Sequence, residues 1–220
     1  MGGRLDATNI VNRKVCGITP VSLDHIGVLG NDLESVANEK AGIVKQGCVV
    51  VTAPQEPEVK VVIDQVCLSA QAKLIVVGEE INHSVPTVNQ EGQSFVVQGR
   101  FDDYSLWIPL LGDYQIENAS TAMAIIEVLR EEGWTISHEA IVNGFQAVSW
   151  PCRMEIISRS PLIVLDGAHN PASMRRLCQT LSRYFKYRRL ILVFGSSLDK
   201  DIYGMIDELI HLEPLVYTAM

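Results

Sequence analysis

"LIVLDGAHNP", Leu162 to Pro171, runs four apolar residues without a spacer into an acid, a glycine, a histidine, an asparagine and a proline. A short apolar run bounded by turn formers predicts a buried strand of a parallel sheet. Asn170 is placed to cap a helix that opens at Pro171, where proline's missing N–H costs nothing. Open α/β sheets bind ligands in the crevice beyond the carboxyl ends of their strands, and Asp166 stands at such an end. A carboxylate there suits a ribose diol, and His169 beside a helix N-terminus suits a phosphate oxygen. A plain structural role is the other reading, with Asp166 and Asn170 satisfying the turn and His169 solvated.

The next strand repeats the design. In "VFGSSLDKD" a strand end leads into Gly195, Ser196 and Ser197, with Asp199 ahead of a helix. The surrounding pattern predicts strands at Pro161 to Leu165, Arg189 to Phe194 and Leu215 to Thr218, with helices over Pro171 to Phe185 and Lys200 to His211. Such a β-α-β-α-β run predicts one open parallel sheet, half built where the chain stops at Met220.

Upstream, Lys14 to Thr19, Cys48 to Thr52 and Lys73 to Val77 are strand candidates. Asn31 is read as an N-cap with Glu34 three residues on, for a helix that Gly42 closes. Val59, Val62, Ile63, Val66, Cys67 and Ala70 follow helical spacing, so this stretch too predicts βαβ units and a parallel sheet. Between His83 and Pro109 the rhythm becomes that of an inserted antiparallel hairpin with "NQEGQ" as its turn. Ile116, Ala119, Met123, Ile126 and Leu129 mark a long helix, and a shorter one starts at Ser137. "SWPCR" breaks the pattern, which sets a boundary between units at residues 1–149 and 150–220.

Composition narrows the function classes. With 47% apolar and 20% charged residues, the 220-residue chain has ordinary globular usage, and one or two domains are expected. Five scattered cysteines, odd in number and never spaced C-x-x-C, argue for reduced thiols in a cytoplasmic protein. A net charge of -8 gives no footprint for nucleic acid, and no apolar run reaches the roughly 18 residues of a membrane span.

Six stretches in order along the chain together resemble the folylpolyglutamate synthase and dihydrofolate synthase family of the Mur ligase superfamily. They are "GGRLDATNIV", "SLDHIGVLGNDLESVANEKAGIVK", "IPLLGDYQIENA", "WPCR", "DGAHNP" and "VFGSSLDKD". The resemblance implies an α/β fold: the remainder of a Mur-ligase central P-loop NTPase-like domain, then the first half of a Rossmann-like C-terminal domain. It implies ATP and Mg2+ as cofactors, and L-glutamate with folate or dihydropteroate as substrates. A carboxylate would be phosphorylated and the amine of glutamate would displace the phosphate. A monomer is expected of the full-length protein.

By the same resemblance His25 is the magnesium-associated histidine, and Lys40 is a lysine that the family carbamylates into a carboxylate-like metal ligand. Taken alone, His25 reads as a satisfied loop residue and Lys40 as a solvated helix end. Asn118 and Arg153 match contacts to the base and phosphates of ATP, Asp166 matches the ribose contact, and His169 matches a neighbouring nucleotide-site residue.

The departures from the family pattern carry expectations too. No G-x-x-x-x-G-K-[ST] phosphate loop occurs in the sequence. The family's loop and a metal-binding glutamate precede "GGR", and its last strands follow the region ending at Met220, so a chain truncated at both ends and inactive alone is expected. Lys14 to Thr19 and Cys48 to Thr52 would then be exposed edges. Tyr114 replaces a frequent histidine, and Cys152 replaces a glycine where the backbone favours a permissive residue. Another Mur-type amino-acid ligase, or a noncatalytic nucleotide-binding module, are the alternatives. A dehydrogenase is poorly supported, because no G-x-G-x-x-G joins a strand to a helix.

Overall fold

The computed structural model describes residues 3–11, 13–23 and 32–218. Strand β1 (Val15–Ile18) pairs in parallel with β2 (Val49–Thr52), and β2 pairs in parallel with β3 (Lys73–Val76). Helices α1 (Leu33–Ala41) and α2 (Pro57–Ser69) make the crossovers. Asp32 caps α1, its Oδ1 accepting from Ser35 N at 2.7 Å; the expected cap, Asn31, lies outside the described residues. The period of two sorts the strand residues onto two faces. Cys16, Ile18 and Val50 pack with Val36, Val59, Val62 and Ile63 of α1 and α2. Val15, Val49 and Val51 pack on the opposite side against α3 (Asp113–Glu131). Because β2 is buried on both faces it reads as an unbroken apolar run. Cys48 to Thr52 is therefore the central strand and not the exposed edge expected of it; among the described residues β1 and β3 are the edges.

The insertion is larger than one hairpin. Strands β4 (Asn82–His83), β5 (Thr87–Asn89) and β7 (Asp103–Ile108) all pair antiparallel with β6 (Gly92–Gln98). Asn89 Oδ1 accepts from Glu91 N at 2.8 Å and Gly92 N at 3.0 Å, so the "NQEG" turn carries its own hydrogen bonds. The sheet packs its Phe95, Val97, Tyr104 and Leu106 into the same core as α3 and α4 (His138–Gln146).

Beyond the linker the architecture departs from the single open sheet expected. Strand β8 (Glu155–Arg159) folds straight back as an antiparallel partner of β9 (Leu162–Leu165). Helix α5 (Pro171–Tyr184) leads to β10 (Ile191–Phe194), α6 (Ile202–Leu209) and β11 (Leu215–Thr218), and β10 and β11 form a separate parallel pair. The cause is the connection. Only Ser160 and Pro161 lie between β8 and β9, and a two-residue link serves an antiparallel neighbour, while parallel pairing needs a crossover. Met174, Met205 and Leu209 hold α5 and α6 together over Leu192 and Phe194.

Candidate functional site

Asp166 closes β9 and bolts two segments together. Its Oδ1 accepts from Ala168 N at 2.8 Å, and its Oδ2 accepts from Met154 N at 2.9 Å. Gly167 N donates to Cys152 O at 2.8 Å, so the "WPCR" and "DGAHNP" stretches are laced side by side. The lacing bends the linker sharply: Cys152 (φ 57°) and Met154 (φ 48°) both sit in the left-handed region. The side chain of Arg153 between them lies over Gly167, where a Cβ would stand only 2.7 Å from Nη1. Glycine at 167 is what allows the guanidinium to settle against the turn.

The rest of the turn is organised as the sequence predicts. Asn170 Oδ1 accepts from Ser173 N at 2.8 Å and Ser173 Oγ accepts from Asn170 N at 3.1 Å, a reciprocal cap for α5. His169 Nδ1 lies 2.8 Å from Gly167 O. A carbonyl only accepts, so this bond assigns the proton to Nδ1 and leaves Nε2 as the acceptor of the neutral ring.

Helix α3 brings a second wall. Gly112 (φ +109°) turns the chain into it, and a Cβ there would meet Tyr114 Cε1 at 2.5 Å. Tyr114 is half-buried, with Arg176 Cζ 5.9 Å above its ring. Burial pushes its phenol up to about 12, the negative charge of Asp166 adds to the shift, and the Arg153 guanidinium opposes it. Tyr114 thus lies within electrostatic reach of both Asp166 and Arg153. Asn118, one helical turn further on, shares its side of α3 and donates through Nδ2 to Gln115 Oε1 at 3.1 Å. A cavity of about 430 Å³ beside Arg153 is lined also by Leu110, Trp150, Pro151, Met154 and Ile156. Another of about 400 Å³ lies between α3 and α5, lined by residues including Tyr114, Glu117, Arg176 and Gln179.

Of the residues singled out in the sequence, Asp166 and His169 share one turn, Arg153 lies against it over Gly167, and Asn118 stands one helical turn beyond Tyr114 on α3. Lys40 is elsewhere, in the last turn of α1, where Gly3 N and Arg4 N dock on Glu39 O at 3.1 and 3.0 Å. His25 lies outside the described residues. Among the described residues no three His, Cys, Asp or Glu side chains gather to hold a metal ion. Sequence reasoning missed Gln93, Arg176 and Tyr184, which join α5 to the first part of the chain. Gln93 is read only as the end of the "NQEGQ" turn and the other two sit in no motif, and an isolated polar residue in a strand or helix gives no signal of a distant partner.

Two domain families match this chain: the Mur ligase middle domain over residues 3–126, and the Mur ligase glutamate ligase domain over residues 152–218. The chain belongs to the Mur ligase family. Within it, the chain is similar to the enzymes of folate metabolism. It is 36% identical to a dihydrofolate synthase/folylpolyglutamate synthase of Mycobacterium tuberculosis, over 94% of this chain and 44% of that protein. It is 33% identical to a protein of the same description from Bacillus subtilis, over 100% of this chain and 51% of that one. Among solved structures, an FPGS–AMPPCP–folate complex superposes with a TM-score of 0.90 at 30% identity, over 100% of this chain and 53% of that one. Mycobacterium tuberculosis folylpolyglutamate synthase complexed with ADP and AMPPCP gives 0.88 at 36% identity, over 95% and 48%. The chain spans about half the length of the curated relatives it matches. Among the described residues no helix is long and apolar enough to cross a membrane.

Proposed function

We propose that this chain is part of an ATP-dependent ligase that adds L-glutamate to folate, and to dihydropteroate, through an acyl phosphate. The observation that carries the reading is Arg153 held over Gly167, against a turn whose acid and imidazole stand at a strand end in a Mur ligase chain. The ADP, AMPPCP and folate complexes of similar proteins support the same substrates.

In this reading Arg153 neutralises phosphate charge, the chief requirement of phosphoryl transfer. Each oxygen of Asp166 accepts one backbone amide and keeps a further lone-pair direction for a ribose hydroxyl. The structural and functional readings of Asp166 are then compatible. His169 in its assigned tautomer accepts at Nε2, and once protonated it donates to a phosphate oxygen. Asn118 offers its amide to the base, with Tyr114 as the wall beside it. His25 and a carbamylated Lys40 are the residues that would hold Mg2+, which would supply charge neutralisation for the phosphates. Carbamylation adds carbon dioxide to the neutral amine, releases one proton to solvent and leaves a carbamate whose hard oxygen would suit the ion. The described residues do not assemble a metal site by themselves, so no step is assigned to the metal. The two units are taken to divide at residues 149 and 150. A full-length monomer working in the cytoplasm completes the proposal.

With no phosphate-loop motif in its sequence, the 220-residue chain is expected to bind nucleotide without turnover. Calorimetric titration with ADP checks the first half: Arg153→Ala should weaken binding roughly tenfold, the loss of one charge-assisted contact. Affinity for ADP unaffected by Arg153→Ala would remove the phosphate role. Glutamate-dependent ADP release by the chain alone, at rates ordinary for enzymes, would contradict the second half.

A further inference from the structure

Helices α3 and α5, from the two matched domains, meet along a polar seam centred on a buried amide. Gln93 on β6 is 0% exposed. Its Nε2 donates to Leu110 O at 2.7 Å and Gly112 O at 3.0 Å, so both protons hold the turn that enters α3. Its Oε1 lies 2.6 Å from the hydroxyl of Tyr184, the last residue of α5, whose one proton is shared with Asp113 Oδ1 at 3.0 Å. A carbonyl oxygen buried in this way bears its full desolvation cost if the donor leaves and no water replaces it, so the bond selects one docking of α5 over its neighbours.

Two ion pairs flank that bond, Arg183 with Asp113, and Arg176 Nη1 with Glu117 Oε2 at 3.2 Å. Each is a third to a half exposed, which makes it a weak, salt-sensitive attraction that orients more than it holds. Gly112 closes the seam, since a Cβ there would also stand 3.0 Å from Thr180 Oγ1 on α5. The apolar contact of Leu111 with Met154 and Phe185 nearby adds cohesion but no direction.

We infer that Gln93, Tyr184 and the pairs Arg183–Asp113 and Arg176–Glu117 form an interdomain latch of positioning residues that fixes how the Asp166–Asn170 turn at the head of α5 is placed relative to Asn118 on α3. Asn118 directly follows Glu117 on α3. The Asp166–Asn170 turn directly precedes α5, a rod of 14 residues and about 21 Å. The latch grips that rod from its middle to its far end, so a small tilt about Tyr184 becomes a displacement at His169. What the latch does for nucleotide capture rests on the function proposed above. Its existence does not, and its test uses no nucleotide.

Small-angle X-ray scattering of the 220-residue chain reads the docking directly. The wild type should show a radius of gyration near 17 Å, the value for a compact chain of this length, at both ~50 mM and ~500 mM NaCl. Tyr184→Phe should keep that value in low salt and expand by several ångströms in high salt, where weakened ion pairs and an undirected apolar contact remain. Arg176→Glu, which sets two carboxylates against each other, should expand the chain in both, and adding Glu117→Arg should restore it. Circular dichroism checks that each variant is folded, and if Tyr184→Phe is not, the charge reversal and its rescue carry the test. Wild-type scattering from both Tyr184→Phe and Arg176→Glu at either salt, or no recovery in the double reversal, would overturn the latch.

Discussion

The guanidinium of Arg153 rests on Gly167, 2.7 Å from where a Cβ would stand. Gly167→Ala should therefore displace the cation while leaving the hydrogen bonds of Asp166 in place. We expect ADP affinity to fall roughly tenfold, as it does for Arg153→Ala, with a thermal midpoint within a few degrees of wild type. Equal affinity in wild type and Gly167→Ala, by calorimetry, would show that the close approach has no part in binding.

Cys152 holds φ 57° without being a glycine. The left-handed region costs a side-chain-bearing residue roughly 1–2 kcal/mol, and glycine relieves part of it against its own larger unfolded-state entropy. Cys152→Gly should raise stability by about 1 kcal/mol, a rise of about 2–4 °C in the thermal midpoint at this chain length. A lower midpoint would mean that the thiol makes a compensating contact.

Asp166→Ala removes acceptors from Met154 N and Ala168 N together. Hydrogen bonds to a charged group are each worth about 1.5–3 kcal/mol, so a loss of about 3 kcal/mol is expected in urea denaturation. Asp166→Asn keeps one oxygen acceptor and should lose about half as much. A near-zero change in the alanine variant would mark the turn as held by other contacts.

Burial and the charge of Asp166 raise the Tyr114 phenol to about 12, against a usual value near 10. The folded state then keeps a proton that the unfolded state releases. This stabilisation is fully present below about pH 10 and is lost as pH rises toward about 12. Tyr114→Phe should lose less of its thermal midpoint between pH 9.5 and 11.5 than the wild type does. Parallel losses in the two proteins would contradict the assignment.

Cys16, Cys48 and Cys67 are buried, and burial pushes the thiol of Cys16 up and that of Cys67 up to about 11. Cys152 is exposed. A disulfide reagent at pH 8 should modify Cys152 promptly and reach those three only on unfolding. Rapid labelling of thiols beyond Cys152 and the half-buried Cys178 in the native chain would show that the core between β1, β2, α1 and α2 opens readily.

Much of this was legible because local signals agree with the tertiary outcome. The α5 cap at Asn170, the Pro171 start and the strand before them are short-range chemistry, and the parallel crossovers follow from periodicity. The strained linker at Cys152 could be anticipated from a missing glycine. What escaped depends on contacts remote in sequence. The β8–β9 return hides in a stretch that reads equally well as part of a parallel sheet, and β10 and β11 pair away from it. Gln93 and Tyr184 stand 91 positions apart with nothing local to announce either.

The most direct measurement of the central claim is a crystal structure of this chain with millimolar ADP. The ribose should lie at Asp166, phosphate oxygens within hydrogen-bond reach of Arg153 and His169, and the base against Asn118 and Tyr114. ADP bound away from the 153–169 turn, or seated there with Arg153 swung off Gly167 and touching no phosphate, would contradict it.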